Sequence, residues 1–395
     1  MNGLPTAGSL PRAIVLDASD GGFVAARALV ARGVPVTVLA TAPNSWTLAG
    51  RGIDGRLMPA ISKQRDAWLE MLGKLGRSEG VLIPASDPAV ELLARERAGI
   101  PAALHSFEGP DSAHLKLMDK ASLYSIADAA GIRIPRTERV RSVAQLEALA
   151  PDLPYPSILK PALSHRFREL FGPRRVIMAE TPEQLVAEAR PALDAGLEML
   201  VLEYVPGPEL DLRGAVTLRR EDGSLALSYG RRKLRQFPPH FGAGSVLEAV
   251  PAPEVLEVTR RLLDAAGFVG FSSLEAKRHE RTGEAVLMEI NVRIPQNIGL
   301  GEACGVEPSW RLYATLAGIP LGPQSQPRYG VKTVVASLEV PAVPAYLRDG
   351  ELSVRDILGS YRHVRTVSGL SLREPRPLVA FGRLKLKGLR RRVRA

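Results

Sequence analysis

A chain of 395 residues is too long for one small core, and its 45% hydrophobic and 24% charged residues are ordinary for a soluble globular protein of two or three domains. No stretch is apolar for long enough to span a bilayer, and the N-terminus lacks the apolar segment that a secretion signal needs. The single cysteine, Cys304, excludes a disulfide framework within the chain, so we expect a cytoplasmic protein.

The net charge of +10 is concentrated at the C-terminus. The last thirteen residues contain no acid and seven cations, which are Arg383, Lys385, Lys387, Arg390, Arg391, Arg392 and Arg394. The rest of the chain is therefore almost balanced, which argues against a nucleic-acid binder. Two interpretations of this tail stay open: a solvated basic end, or a segment that contacts an anionic membrane surface at the inner face of the membrane.

The first part of the chain is predicted to form a parallel α/β sheet. Ala13–Leu16 is an apolar run, a helix follows the sequence DASDGG, Gly33 ends that helix, and Val34–Ala40 forms a second strand. The pattern resumes with a strand over 80–86 and a helix over Asp87–Ala98. The DASDGG loop lacks the G-x-G-x-x-G spacing, and no acid ends the second strand, so we do not expect a dinucleotide site.

The region from about 150 to 295 is predicted to be α+β and mostly antiparallel. Its elements in chain order are a short strand over 155–163, a helix over 182–196, a strand, turn and strand over 199–218, a strand with a basic loop over 224–245, a helix over 253–268 and a hairpin over 268–293 that turns at Arg281–Gly283. The stretch over 119–138, predicted as a helix that stops at Gly131 and then an extended exit, precedes them, and residues 331–395 are expected to form a helical appendage.

The second strand of the hairpin carries alternating polar residues. Residues two apart in a strand share a face, so Glu289, Asn291 and Arg293 point one way. Glu275 on the other strand of the hairpin can converge with Glu289 on the same face, and carboxylate and amide oxygens suit a hard cation such as Mg²⁺. The alternative is an exposed polar sheet face with ion pairs.

Three further stretches precede this hairpin. Lys120 begins a helix, and Lys160 ends an apolar strand; each alone is also typical of a surface lysine. The sequence LEYVPG places Glu203, Tyr204 and Val205 after an apolar strand, where a backbone edge with apolar neighbours can hold an adenine ring. The alternative is a plain strand and turn.

Taken in order, these stretches resemble the ATP-grasp superfamily. The resemblance implies an ATP-grasp fold, with a Rossmann-like parallel α/β domain, a central lid subdomain and an antiparallel ATP-binding core. It also implies ATP and Mg²⁺ (or Mn²⁺) as cofactors. The implied nucleotide-binding residues are Lys120, Lys160, the hinge residues Glu203, Tyr204 and Val205, and either Glu209 or Asp211 at the ribose. The implied metal ligands are Glu275, Glu289 and Asn291, and Arg293 is the implied phosphate-binding arginine.

Within that superfamily the chain resembles the carbamoyl-phosphate-synthase-like and D-aspartate-ligase-like carboxylate–amine ligases. This implies that a carboxylate is activated by ATP as an acyl phosphate and is then joined to an amine. The stretch over 230–245 would hold a carboxylate or acyl phosphate, with Arg232, Lys233 and Arg235 as its candidates. The implied catalytic residues are Lys233 and Arg235 from this stretch and Arg293 from the hairpin. Two alternatives stay open: an ATP-grasp enzyme that uses bicarbonate, and a non-catalytic nucleotide-binding protein that docks through its basic tail. A homodimer is also left open.

The loop over 163–176 departs from the family's pattern. A glycine-rich lid is usual there, but this loop has one glycine and several arginines. We predict an N-terminal domain over 1–112, an ATP-grasp domain over 113–330 that divides into lid and core near residue 204, and a C-terminal segment over 331–395.

Overall fold

The computed structural model describes residues 10–162, 167 and 176–394. The first layer is a five-stranded parallel sheet in the order β3-β2-β1-β4-β5. Its strands are β1 Arg12–Leu16, β2 Val36–Ala40, β3 Ile53–Leu57, β4 Gly80–Pro84 and β5 Leu104–His105. Its helices are α1 Asp20–Val30, α2 Arg65–Leu75 and α3 Asp87–Arg95, with a 3-10 helix over Ala42–Ala49. The predicted parallel α/β unit is confirmed.

Both faces of the strands β1, β2 and β4 are buried, as their apolar sequences predict. Val15 packs on one side with Leu29 of α1, and Ile14 packs on the other side with Trp68 of α2. The strand order reverses between β1 and β4. A crevice therefore opens at the carboxyl ends of these two strands, where ligands of open α/β sheets bind.

The second layer is a four-stranded antiparallel sheet in the order β6-β9-β7-β8. It follows α4 His114–Met118 and α5 Lys120–Ala129, and its strands are β6 Thr137–Val140, β7 Ser157–Pro161, β8 Ile177–Ala179 and β9 Met199–Glu203. One face is covered by α6 Val143–Leu149 and α7 Pro182–Asp194, which enclose a separate apolar core. Leu200 and Leu202 on the opposite face belong to a different core that α5 shares with the third layer.

The third layer is a seven-stranded sheet in the order β14-β13-β10-β11-β12-β15-β16. Its strands are β10 Leu212–Arg219, β11 Leu225–Phe237, β12 Ala243–Ala249, β13 Gly270–Arg278, β14 Ala285–Asn291, β15 Lys332–Val334 and β16 Val364–Val367. Neighbours run antiparallel except β15 and β16, which are parallel. The helices are α8 Pro253–Ala266, α9 Gly299–Cys304, α10 Pro308–Leu316, α11 Ala336–Arg348, α12 Val354–Ser360 and α13 Pro375–Arg394. The predicted β13–β14 hairpin is confirmed.

Two predictions of local structure differ from the observed fold. The basic stretch over 230–237 is the second half of β11 and not a loop. Its backbone is paired with β12 from Arg231 to Phe237 and with β10 as far as Arg232, and buried acids compensate its charges, so pairing overrides the polar composition. The segment over 331–395 is largely helical but also adds β15 and β16 to the core sheet. The boundary at 330 stays a prediction.

Candidate active site

Charged side chains from the second and third layers converge around Lys160 on β7. Burial lowers the pKa of Lys160 to about 8; the neighbouring ammonium groups of Lys120 and Lys233 lower it further, while the carboxylates of Glu289 and Glu275 oppose the shift. These five residues come from α5, β7, β11, β13 and β14. The structure therefore brings both predicted nucleotide-binding lysines to the two predicted metal-binding carboxylates.

The two carboxylates face each other across the hairpin. Glu275 on β13 is the direct cross-strand partner of Glu289 on β14, and paired residues of neighbouring strands have side chains on one face. Glu275 is buried, whereas Glu289 is exposed. Two carboxylates this close repel each other unless cations lie between or beside them. The convergence expected from strand alternation is present in the structure.

Two cations from β11 hold Glu275. Lys233 Nζ donates to one carboxylate oxygen at 2.7 Å, and Arg231 Nη2 donates to the other at 2.9 Å. Burial alone would raise the pKa of Glu275, but the charges of Lys233 and Arg231 lower it well below its ordinary value. Lys233 Nζ also donates to the carbonyl of Gly242 at 3.1 Å. Glu275 is thus a fixed carboxylate whose oxygens each accept one hydrogen bond and keep a further lone pair.

Arg231 is a site residue that sequence reasoning missed. It reaches Glu275 by crossing β10 at Gly214, which is paired with Arg231 on one side and with Glu275 on the other. A Cβ atom at Gly214 would lie 2.9 Å from Arg231 Cζ. Arg231 Nη2 donates to Ser273 Oγ at 2.9 Å as well. The available signal was the glycine inside a strand, which marks a close approach of other atoms.

Beyond the acidic pair, the polar residues of the hairpin continue toward the first layer. Asn291 ends β14, and its Oδ1 accepts a hydrogen bond from Arg293 Nη2 at 3.2 Å. Arg293 lies just beyond the strand, and its Nε donates to Asp87 at the start of α3 at 2.6 Å. Arg293 therefore joins the acidic pair to the crevice at the carboxyl end of β4.

The DASDGG loop also lies at that crevice. A Cβ atom at Gly21 would lie 2.2 Å from the carbonyl oxygen of Pro295, so the loop packs directly on the chain that follows Arg293. Asp20 is buried and accepts from the hydroxyl of Ser337 at 2.5 Å. Gly21 thus permits close contact between this loop and the chain that follows β14.

The predicted hinge is fixed by cationic side chains. The carboxylate of Glu203 accepts from the backbone N–H of Arg136 at 3.0 Å and from Arg133 Nη2 at 3.2 Å. Lys277 is buried on β13; its Nζ donates to the carbonyl of Val205 at 2.8 Å and lies 5.0 Å from the ring centre of Tyr204. Lys277 thus connects the hinge to the core sheet.

The two predicted ribose contacts lie in one 3-10 turn, Glu209–Asp211, directly before β10. Glu209 accepts from Gln236 Nε2 at 2.9 Å and contacts His240. Burial lowers the pKa of Lys277, and the charges of Glu209 and Asp211 oppose that shift. Both acids are therefore close to the hinge.

The structure places Arg235 in a buried ion pair that joins β11 to the C-terminal segment. Its guanidinium donates to Glu339 on α11 at 2.6 and 2.9 Å and to Ser360 at 2.9 Å, and it lies 5.5 Å from the ring centre of Tyr361. Lys233 contacts Glu275, whereas the Arg235 guanidinium is committed to Glu339. The catalytic assignment of Arg235 stays a prediction with this competing structural role.

Among residues 10–162, 167 and 176–394, no group of three or more His, Cys, Asp or Glu side chains is gathered as a metal cluster. The predicted set of two carboxylates and one amide does not depend on such a group.

The predicted arginine-rich lid over 163–176 lies outside the described residues except Phe167 and Val176.

Comparison with solved structures identifies the fold. A crystal structure of N5-carboxyaminoimidazole ribonucleotide synthetase with ADP superposes with a TM-score of 0.63 at 17% identity, covering 81% of this chain and 80% of that chain. An L-amino acid ligase from Bacillus licheniformis superposes with a TM-score of 0.63 at 15% identity, covering 82% of this chain and 78% of that chain. The chain has the ATP-grasp fold, and the predicted fold class is confirmed.

Comparison with curated proteins adds two sequence relatives. The chain is 25% identical over 187 residues to D-aspartate ligase of Enterococcus faecium (strain Aus0004), and this alignment covers 45% of this chain and 44% of the relative. It is 28% identical over 178 residues to D-alanine–D-alanine ligase of Pseudomonas entomophila (strain L48), and this alignment covers 44% of this chain and 54% of the relative. The chain spans about half the length of the curated relatives it matches. No family model matches the chain.

Proposed function

We propose that this protein is an ATP- and Mg²⁺-dependent ligase that activates a carboxylate as an acyl phosphate and joins it to an amine. The observation that carries the proposal is the pairing of Glu275 with Glu289 across the hairpin and the 2.7 Å contact of Lys233 with Glu275, in a cluster of charges that also acts on Lys160 and includes Lys120, between two sheets of an ATP-grasp fold. Both curated relatives are named as ligases, which supports the formation of an amide or peptide bond.

Lys120 and Lys160 are suited to bind the ATP phosphates. Both interact electrostatically with the groups around the acidic pair, and Lys160 is half-buried, so its positive charge is costly without an anion beside it. A polyphosphate would offset that cost. Glu203, Tyr204 and Val205 would form the adenine side of the site, with Glu209 or Asp211 at the ribose.

Glu289, Asn291 and Glu275 are the residues that would hold the metal ion. Their oxygen donors fit Mg²⁺ or Mn²⁺, which bind through one or two carboxylates together with substrate phosphates. The exposed carboxylate of Glu289 is open to such an ion, while Glu275 is anchored by Lys233 and Arg231. A divalent cation there supplies charge neutralisation for phosphoryl transfer.

Lys233 and Arg293 are the proposed catalytic groups. Lys233 is buried beside Glu275, and Arg293 lies between Asn291 and Asp87. A cation on each side of the acidic pair can stabilise the charge of an acyl phosphate, and the planar guanidinium of Arg293 suits a phosphate or carboxylate. We assign Arg235 instead to the attachment of the C-terminal segment.

The substrates we propose are an amino-acid-like carboxylate and an amine, because the curated relatives are named for D-aspartate and D-alanine. We expect the enzyme to act in the cytoplasm. The part of the chain that the structure describes contains no helix that could cross a membrane.

The test is ADP release from the purified protein with a panel of carboxylic acids, D- and L-amino acids and small peptides. ADP release should require an acid and an amine together. Glu289→Gln should lower turnover about a hundredfold or more, because a metal contact contributes several kcal/mol to phosphoryl transfer. Glu284→Gln, an exposed glutamate before the same strand, is the matched control.

The other outcomes distinguish the alternatives. Phosphate release with bicarbonate and no carboxylic acid would indicate an enzyme of the carboxylase type. ATP binding without turnover for any pair of substrates would indicate a non-catalytic nucleotide-binding protein. A protein that binds no ATP at all would contradict the assignment of the site.

A further inference from the structure

The C-terminal helix α13 carries apolar side chains on two different faces. Phe381 and Leu384 form the inner face; Phe381 is buried and packs edge-on against Trp46, with 5.4 Å between the ring centroids. Val379 and Leu386 are 48% and 58% exposed. They are seven residues apart, which places them on one side of an α-helix, away from the inner face. We call this side the outer face.

Cations flank the outer face. Arg376 and Arg383 are exposed and also seven residues apart, and Arg383 lies one helical turn from both Val379 and Leu386. The helix contains no acid and eight cations, which are Arg376, Arg383, Lys385, Lys387, Arg390, Arg391, Arg392 and Arg394. The sequence repeats the apolar spacing at Leu389 and Val393, beyond the side chains that the structure describes.

The inner face fixes the helix to the body of the protein. Besides the contact between Phe381 and Trp46, Lys385 Nζ lies 3.5 Å from the carbonyl oxygen of Ser337, and it lies 5.2 Å from the ring centre of Phe381. Ser337 in turn contacts Asp20 in the first layer. The outer face is therefore presented from a docked helix, and its apolar side chains are not needed to hold that helix in place.

An exposed apolar stripe with adjacent cations is typical of a helix that lies on a membrane surface. A helix with this many charges does not cross a bilayer, but it can lie in the interface with its apolar side at the boundary between headgroups and acyl chains. Clusters of four to eight Lys or Arg on such a helix are typical of contact with anionic lipids. We propose that the outer face of α13 docks this protein on the surface of an anionic lipid bilayer.

The residue types favour lipid over nucleic acid. Proteins that bind single strands stack bases on exposed aromatic rings. On the described part of α13 the aromatic residue is Phe381, and it is buried against Trp46. The exposed apolar residues are aliphatic, so they can enter acyl chains but offer no stacking surface.

The test is cosedimentation of the full chain with vesicles of phosphatidylcholine alone and of phosphatidylcholine mixed with phosphatidylglycerol. We expect binding to the mixed vesicles only, weakening as salt increases. The double variant Val379→Ser/Leu386→Ser should abolish it. Leu358→Ser is the matched control, because Leu358 on α12 is 64% exposed but lies outside α13. All these side chains are exposed, so the variants should unfold at the urea concentration of the parent protein.

A second pair of variants tests the cations. Arg376→Gln/Arg383→Gln should weaken binding about fivefold for each charge removed, whereas Arg355→Gln on α12 should not change it. Binding to neutral vesicles to the same extent, or no binding to either, would overturn the proposal. Tight binding of single-stranded RNA that survives Val379→Ser/Leu386→Ser would assign the helix to nucleic acid. Dimerisation that those substitutions abolish, without vesicle binding, would assign the outer face to a second copy of the chain.

Discussion

Substitution of Gly214 by alanine tests how the acidic pair is held in place. The new Cβ would lie 2.9 Å from Arg231 Cζ and 3.1 Å from the carbonyl oxygen of Leu274, and real Cβ atoms show few contacts this short. Crowding in a packed interior costs about 1–3 kcal/mol. If Arg231 loses Glu275 and Ser273, the cost approaches the 3–5 kcal/mol of a broken buried ion pair, taken as an order of magnitude. Alanine also returns about 0.5–1 kcal/mol through the unfolded chain. We expect a net loss of about 2 kcal/mol in the free energy of unfolding.

The assay is urea denaturation followed by circular dichroism, together with the KM for ATP and kcat. Gly73→Ala in α2 is the matched control, because Gly73 is exposed in a helix and a Cβ there meets nothing within 4 Å. That substitution should stabilise the protein by about 0.5–1 kcal/mol. A Gly214→Ala protein that is as stable and as active as the parent would refute the inference that Arg231 supports Glu275 by crossing β10 at Gly214.

Three further predictions follow from the same contacts. The affinity for ATP should fall as pH rises above 8, because Lys160 loses its charge there, and Lys160→Arg should remove this dependence. The free energy of unfolding should instead rise from pH 8 to 10.5, because the folded state binds fewer protons than the unfolded state in that range. Arg235→Met or Glu339→Gln alone should each cost about 3–5 kcal/mol in the free energy of unfolding, and Arg235→Met/Glu339→Leu should recover much of it; equal losses in all three variants would contradict a coupled pair. Chelation of divalent ions should abolish turnover, and Asn291→Ala should raise the Mg²⁺ concentration for half-maximal turnover at least about tenfold; an unchanged requirement would remove Asn291 from the site.

Much of the fold was predictable because its signals are local. The apolar runs of β1 and β4, the helix after DASDGG and the alternation over β14 repeat with the periods of helices and strands. The same alternation placed Glu289 and Asn291 on one face, and the short turn of the hairpin brought Glu275 opposite Glu289. These features depend on residues close in the chain, so the sequence alone determined them.

The remaining features depend on contacts between distant residues. Arg231 reaches Glu275 only because Gly214 lies on the strand between them, and Arg235 finds Glu339 104 residues further along the chain. Strands as short as β15 carry too few residues for a period to appear, and they form because the edge of β12 supplies hydrogen bonds. The sequence determined which residues could form a metal and phosphate site, whereas the tertiary structure decided which cations hold its carboxylates, because burial and pairing fix the partner of each charge.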